Sequence, residues 1–283
     1  MVFLRRVLIS LLLNAFAFGC LMLGSNRTAQ GQEIQLTGPL KGAPAVRNLR
    51  LYRKGRLEIA PTASFTLLDE YRRTFLTGGR VQYNLTDWLA VGAWGGYTAL
   101  SMTTHLTDQI DETAVRNEKT ALNINPSGFA EQTSKIVWMA TPQISFIPFR
   151  GKMSLFEMMF IDTDVYFYGG AAFIGIKERG FCGSQGKLNC KDPASFELAS
   201  RTAIAPTFGM GLTFYPTHFL SFGVEYRAFP FSWNRSGFDS KSDSPHPNTC
   251  DNQISAVDRT FKFNQMLSIF LGFSFPSKIQ ISD

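Results

Sequence analysis

From Phe261 to Phe275 the odd positions read Phe, Phe, Gln, Leu, Ile, Leu, Phe, Phe, and the even positions from Lys262 to Ser274 read Lys, Asn, Met, Ser, Phe, Gly, Ser. A period of two belongs to a β-strand, whose successive side chains point to opposite faces. The alternation recurs upstream. In 56–67, Leu57, Ile59, Pro61, Ala63, Phe65 and Leu67 oppose Arg56, Glu58, Ala60, Thr62, Ser64 and Thr66. In 74–85, Phe75, Val81, Tyr83 and Leu85 oppose Thr74, Gly78, Arg80, Gln82 and Asn84. In 135–149, Ile136, Trp138, Pro142, Ile144 and Phe146 are expected on one face, against Lys135, Thr141, Gln143 and Ser145. In 201–216, Ile204, Pro206, Phe208, Met210, Leu212 and Phe214 oppose Ala203, Thr207, Gly209, Gly211 and Thr213. In 220–233, Phe222, Val224 and Tyr226 oppose Ser221, Gly223, Glu225 and Arg227. Segments 88–100, rich in glycine, and 164–177, apolar on both faces, read as strands without a clear facing. Eight strands are expected.

These runs exceed the five or six residues of ordinary strands and match what a tilted strand needs to cross a bilayer. The connections alternate. Residues 85–88, 149–152 and 216–219 read as short joins, whereas 102–134, 178–199 and 236–258 are long and polar. On the side of the long loops only 69–73 is a short link. With the N-terminus beside the short joins, every long loop falls at the opposite end, the asymmetry of outer-membrane barrels. Charged residues make up only 18% of the chain, against about 25% in soluble domains. The small-or-polar faces also lack the many Lys and Glu of a wet surface. They therefore fit a narrow interior, and the Phe/Leu/Ile faces fit lipid. The expected fold is all-β: an eight-stranded antiparallel transmembrane β-barrel over 55–276, with long external loops and short periplasmic turns. Trp88, Tyr83, Phe149, Tyr215, Phe219, Phe273 and Phe275 fall near the short joins, where an aromatic girdle would sit.

Five charges lie on the inward faces: Arg56, Glu58, Arg80, Glu225 and Arg227. A lone buried charge is costly, so one expectation is a plug in which the two glutamates share the three arginines. The other is that some of the five sit at the rim in water.

The N-terminus adds an address. Arg5 and Arg6 precede an apolar stretch from Val7 to Leu23, and Ala29-Gln30-Gly31 supplies small residues for cleavage. A secretory signal peptide over 1–31 is expected, exporting the chain to the bacterial outer membrane. The Ala17-Phe18-Gly19 preceding Cys20 lacks the aliphatic residue of a lipoprotein site. Removing Arg5, Arg6 and Arg27 reduces the formal charge from +6 to about +3, too mild to point to nucleic acid. Residues 32–54 form a basic, Pro/Gly-punctuated periplasmic lead, in which Arg47, Arg50, Arg53 and Lys54 are candidates to face a partner. Residues 277–283 form a tail. In an oxidising compartment, Cys182 and Cys190 are the natural short bridge; pairing of Cys250 with either remains open.

Searches for chemistry give little. Gly151-Lys152 echoes the end of a phosphate-binding loop, but Phe146 and Met153 occupy its first-glycine and Ser/Thr positions. Asp162 and Asp164 share a strand face and read as a solvated strand end. His105, His218 and His246 stand singly, without metal-ligand spacing. His218 with Ser221 is a weak hydrolase pair on the wrong side for outer-leaflet lipid. Asn26, Asn84 and Asn234 lie in sequons that have no meaning in a bacterial barrel. Residues 153–162 (MSLFEMMFID) read as either a strand extension or a short interfacial helix. No cofactor, metal or catalytic residue is expected.

LTGPLKGAPAVRNLRLYRKGRLEIAPTASFTLLDEYRRT at 36–74, YNLTDWLAVGAWGGY at 83–97, PFRGKMSLF at 148–156 and FKFNQMLSIFLGFSFP at 261–276 resemble the outer-membrane β-barrel domain proteins of myxobacteria and related deltaproteobacteria. The resemblance implies a small barrel of the OmpA/OmpX architectural kind with no catalytic motif, and some similar barrels belong to gliding-motility and adhesion machinery. The functional expectation is a non-enzymatic envelope component, in contact with outer-membrane lipid and with periplasmic or other outer-membrane proteins as candidate partners. The alternative is a small porin-like channel for ions or small solutes.

Overall fold

A computed structural model of the chain describes residues 53–114, 128–155, 159–180, 198–238 and 256–275, with the backbone alone at 152–155, 159 and 160. The expected signal peptide, most of the lead with Arg47 and Arg50, the cysteines Cys182, Cys190 and Cys250, and the tail lie outside these residues. Eight strands follow in chain order: β1 (Leu57–Leu67), β2 (Arg72–Asn84), β3 (Leu89–Thr103), β4 (Lys135–Leu155), β5 (Met159–Arg179), β6 (Leu198–Tyr215), β7 (Leu220–Trp233) and β8 (Thr260–Phe275). Each pairs antiparallel with the next and β8 pairs with β1, closing the barrel. Closure removes every sheet edge, which a bilayer demands because it offers no water to unpaired backbone groups. No helix of the described residues is long and apolar enough to cross a membrane. The described part of the loop between β3 and β4 carries a short helix, α1 (His105–Thr113), and a helical turn at Phe129–Gln132.

The burial pattern follows the alternation. Along β8, Asn264, Met266, Ser268, Phe270, Gly272 and Ser274 are buried, while Leu267, Ile269, Leu271, Phe273 and Phe275 are exposed. Around the outside Ile144, Ile204, Met210 and Ile269 are all more than half exposed. Inside, Ser64, Thr141 and Ser145 have no exposed surface. An apolar exterior around a filled, largely polar interior is the inverse of a soluble barrel and the arrangement of a membrane-spanning one.

Three local expectations are corrected. Ile136 does not share the outward face of Trp138: a register shift between Ile136 and Trp138 changes the parity, and Ile136 is buried inside. Residues 149–152 are not a join. The β4–β5 ladder runs on through Arg150↔Asp164 and Gly151↔Thr163 to Leu155↔Met159, so the described residues 153–155 and 159–162 are strand extension. The polar Arg-Gly-Lys stretch mimicked a turn, but the residues beyond it kept pairing. Tyr215 leaves the girdle and turns inward, where it is buried; Tyr83, Trp88, Phe149, Phe219, Phe273 and Phe275 remain on the outside.

A charge placed on this exterior should cost stability according to depth. Ile269→Arg, at mid-strand opposite Val224 and Ala63, is expected to lower the unfolding free energy by about 2–4 kcal/mol, and Phe275→Arg at the strand end by roughly 0–1 kcal/mol. Urea titration of the protein refolded into phosphatidylcholine vesicles measures both. Equal costs at the two depths would contradict a lipid-facing surface.

Candidate functional site

The interior is layered, and each layer is built from residues contributed by different strands. Nearest the short turns lies an ionic layer. Arg80 on β2 donates from Nη2 to Glu58 Oε1 on β1 at 2.5 Å and lies 3.3 Å from Glu225 Oε2 on β7. Its Nη1 also donates to the Tyr166 hydroxyl at 2.6 Å, and that hydroxyl donates to Glu225 Oε2 at 2.9 Å. Arg227 closes the other side. It donates to Glu225 Oε1 at 2.5 Å, to Gln143 Oε1 at 2.8 Å and to Thr141 Oγ1 at 2.7 Å. Aromatic faces cover both guanidinium groups: Arg80 sits 3.9 Å above the Phe270 ring, and Arg227 sits 4.7 Å from Tyr168 and 5.1 Å from Trp94. Two carboxylates and two guanidinium groups thus balance, with every oxygen of Glu225 engaged.

Strand β6 contributes space rather than a polar group. A Cβ on Gly211 would stand 2.2 Å from the Tyr166 ring, and one on Gly209 2.7 Å from Cζ of Tyr168. The small residues of β6 are therefore what lets two tyrosines of β5 lie across the lumen and reach the charges.

Four of the five charges expected to act together meet here. Arg56 does not. It is buried nearer the turns and donates to the His218 carbonyl at 2.6 Å; burial lowers its pKa below the usual arginine range. The neighbouring residues correct a second expectation. Arg53 is not available to a partner, because it is buried in the mouth, ion-paired with Asp164 and 4.2 Å above the inward Tyr215 ring. Its backbone N–H and that of Lys54 donate to Asp87 Oδ1 at 2.9 and 3.1 Å. Lys54 remains exposed. Asp164 is thus an internal anchor rather than a solvated strand end. His218 lies on an exposed turn while Ser221 is buried in the lumen, so the two do not form a hydrolytic pair. No cluster of His, Cys, Asp and Glu among the described residues could hold a metal ion.

Above the ionic layer, toward the long loops, lies an apolar one. Leu76, Trp94, Ile136, Met139, Ile174, Ile176, Phe229, Phe231, Trp233 and Met266 are buried together. The 164–177 segment, apolar on both faces, and Phe229, Phe231 and Trp233 on the inward parity of β7 were the signals for this layer. A polar-lumen reading passes over them. At the loop end Glu178 accepts from Arg201 at 2.6 Å and Arg259 at 2.9 Å, and Arg235 reaches Asp69 at 3.5 Å. Burial raises the Asp69 carboxyl above its usual range. Phe129, fully buried, stacks on Phe238 at 5.4 Å and meets Tyr71 edge-on.

No family model and no curated protein matches the chain. Among solved structures it is similar to the N-terminal β-barrel domain of Pseudomonas aeruginosa OprF, at 11% identity and a TM-score of 0.41, covering 78% of this chain and 98% of that one. The outer membrane protein OprG of the same organism gives 10% identity and 0.37, covering 79% and 97%. Ail, the attachment invasion locus protein of Yersinia pestis, gives 12% identity and 0.35, covering 78% and 99%. Likenesses this distant add nothing about function; the barrel rests on the chain's own strand pairing.

Removing Arg80 should be severe, because Glu58 would be left buried without its guanidinium partner. Arg80→Met is expected to cost about 3–5 kcal/mol of unfolding free energy, and adding Glu58→Gln should restore part of it, since the uncompensated charge is then gone. Urea titrations of the two variants beside the wild type check the order. A double variant no more stable than the single one would show that the Glu58 carboxylate is not what Arg80 offsets.

Proposed function

We propose that this chain is a closed, non-enzymatic barrel of a bacterial outer membrane that serves as an interaction component of the envelope, with its long loops outside and its short turns and N-terminal lead in the periplasm. The observation that carries the reading is the doubly filled interior. An eight-stranded barrel has room for little more than its own side chains. Here one level is occupied by the Glu58–Arg80–Glu225–Arg227 network and the next by Trp94, Phe229, Phe231 and their neighbours. A solute would have to break the first and displace the second.

With the lumen closed, function falls to the ends. At the periplasmic end Arg53, buried in the mouth and paired with Asp164, is the residue at which the lead joins the barrel. Exposed Lys54 and the basic Arg47 and Arg50 before it are the groups left to meet an acidic partner. The resemblance to barrels of gliding-motility and adhesion machinery directs the search toward envelope-spanning complexes.

Two measurements test this. In planar bilayers the purified protein is expected to give no steady conductance; a steady ohmic current would return the chain to the porin-like alternative. Crosslinking on intact cells, followed by affinity recovery, is expected to bring down a reproducible set of envelope proteins that is lost when 32–52 is replaced by a neutral sequence of equal length. Recovery of nothing beyond abundant outer-membrane proteins would mark an autonomous barrel.

A further inference from the structure

The outward face of β4, β5 and β6 changes character in three steps at its loop end. Lys135, Lys177 and Ser200 lie side by side across the three strands. The row below is Trp138, Gly175 and Thr202, and the next is Ala140, Phe173 and Ile204. Cations thus stand above an aromatic residue, and that stands above an apolar wall in which Ile204 is 69% exposed.

The top row is electrostatically unfavourable as it stands. Lys135 and Lys177 are direct cross-strand partners, and like charges so placed destabilise a sheet. The charges that act on the Lys135 ammonium are Lys177 and Arg72, both repulsive. Among the described residues no carboxylate lies within ion-pair distance of either lysine. Glu178, next to Lys177 in the chain but buried, is already shared between Arg201 and Arg259. In the middle row the absence of a side chain at Gly175 makes room for its neighbour. The Trp138 indole lies over Gly175, where a Cβ would come within 2.0 Å of its Nε1. Beside it a groove of about 140 Å³ is lined by Trp138, Gly175, Lys177, Ser200, Arg201 and Thr202. Tryptophan marks the headgroup level of a membrane, and basic pockets at that level bind lipid phosphates.

We infer that this face binds the phosphate-bearing headgroup of an outer-leaflet lipid, with Lys135 and Lys177 taking the phosphate, Ser200 and Thr202 presenting hydroxyls to the groove, and Phe173 and Ile204 carrying an acyl chain. The inference rests on the proposed outer-membrane orientation and adds to it a ligand class and a site. The positive excess is what selects the occupant: a lipid without net charge brings its own cation beside any phosphate and leaves the lysine pair largely uncompensated, whereas a headgroup with net negative phosphate charge offsets it.

The test uses the full mature chain refolded into phosphatidylcholine nanodiscs doped with lipid A, carrying either both phosphates or none. Native mass spectrometry reads the lipid that stays bound, and the heat-modifiable gel mobility of the same sample reports insertion. The wild type is expected to retain the phosphorylated lipid in preference to the dephosphorylated one. Lys135→Gln with Lys177→Gln should weaken retention by about twenty-fivefold, at roughly fivefold per cation. The same double variant should insert as well as the wild type, because it relieves a repulsion. Lys262→Gln, at the same end but paired with Glu70 at 3.1 Å, should change retention little. Equal retention of the two lipids, or full retention by the double variant, overturns the inference while the inserted barrel stands. Displacement of the lipid by millimolar inorganic phosphate overturns the assignment to a lipid. Failure to insert at all sinks the orientation and this site together.

Discussion

A backbone in hydrocarbon has no water to pair with, and from that single requirement most of this structure follows. Eight strands must close on each other, and closing only eight leaves an interior about as wide as the side chains that fill it. Each inward position therefore has to be occupied, and each inward polar group has to find its partner inside the same small volume. The outward positions are released from packing and need only be apolar. That division explains why the chain can expose so many phenylalanines and isoleucines while burying arginine and glutamate.

Four of the buried charges in this lumen form a balanced set. Arg80 and Arg227 flank Glu225, Glu58 takes the far side of Arg80, and the Tyr166 hydroxyl both accepts from Arg80 and donates to Glu225. The set needs long side chains that reach across the barrel, and long side chains need gaps. Gly209 and Gly211 provide the gaps. The polar network and the run of small residues on β6 are two halves of one packing solution, and neither has a reason to exist without the other.

Strand number, pairing order and most facings were legible because a period of two leaves little latitude: a strand with one apolar face can sit in lipid only one way round. Where reading failed, a non-periodic event had intervened. One bulge beside Val137 turned Ile136 inward against its apparent parity. A polar Arg-Gly-Lys stretch resembled a turn that the ladder in fact runs through. Arg53 read as a free basic residue of the lead, yet Asp164 and Tyr215, distant in sequence, form its seat in the mouth. The apolar inner layer was missed for a different reason. A membrane strand that is greasy on both faces gives no contrast, so the segment carrying Ile174 and Ile176 offered no orientation and concealed half of the plug.

The two ends of the barrel are consequently unequal in kind. At the turn end each buried cation finds its partner within the protein: Arg53 in Asp164, Arg80 in Glu58, Arg227 in Glu225 and Arg56 in the His218 carbonyl. At the loop end the outward strand face carries Lys135 and Lys177 as cross-strand neighbours, while the carboxylate of Glu178 is already engaged by Arg201 and Arg259. Matched charge in the interior is a condition of folding, since an unmatched one there has nothing to pair with. Unmatched charge on an outer surface at headgroup level carries no such prohibition, because the surroundings can supply the counter-charge. The interior thus gains nothing from a ligand and the loop-end rim does, which is why the rim is where a barrel sealed in this way can still bind something.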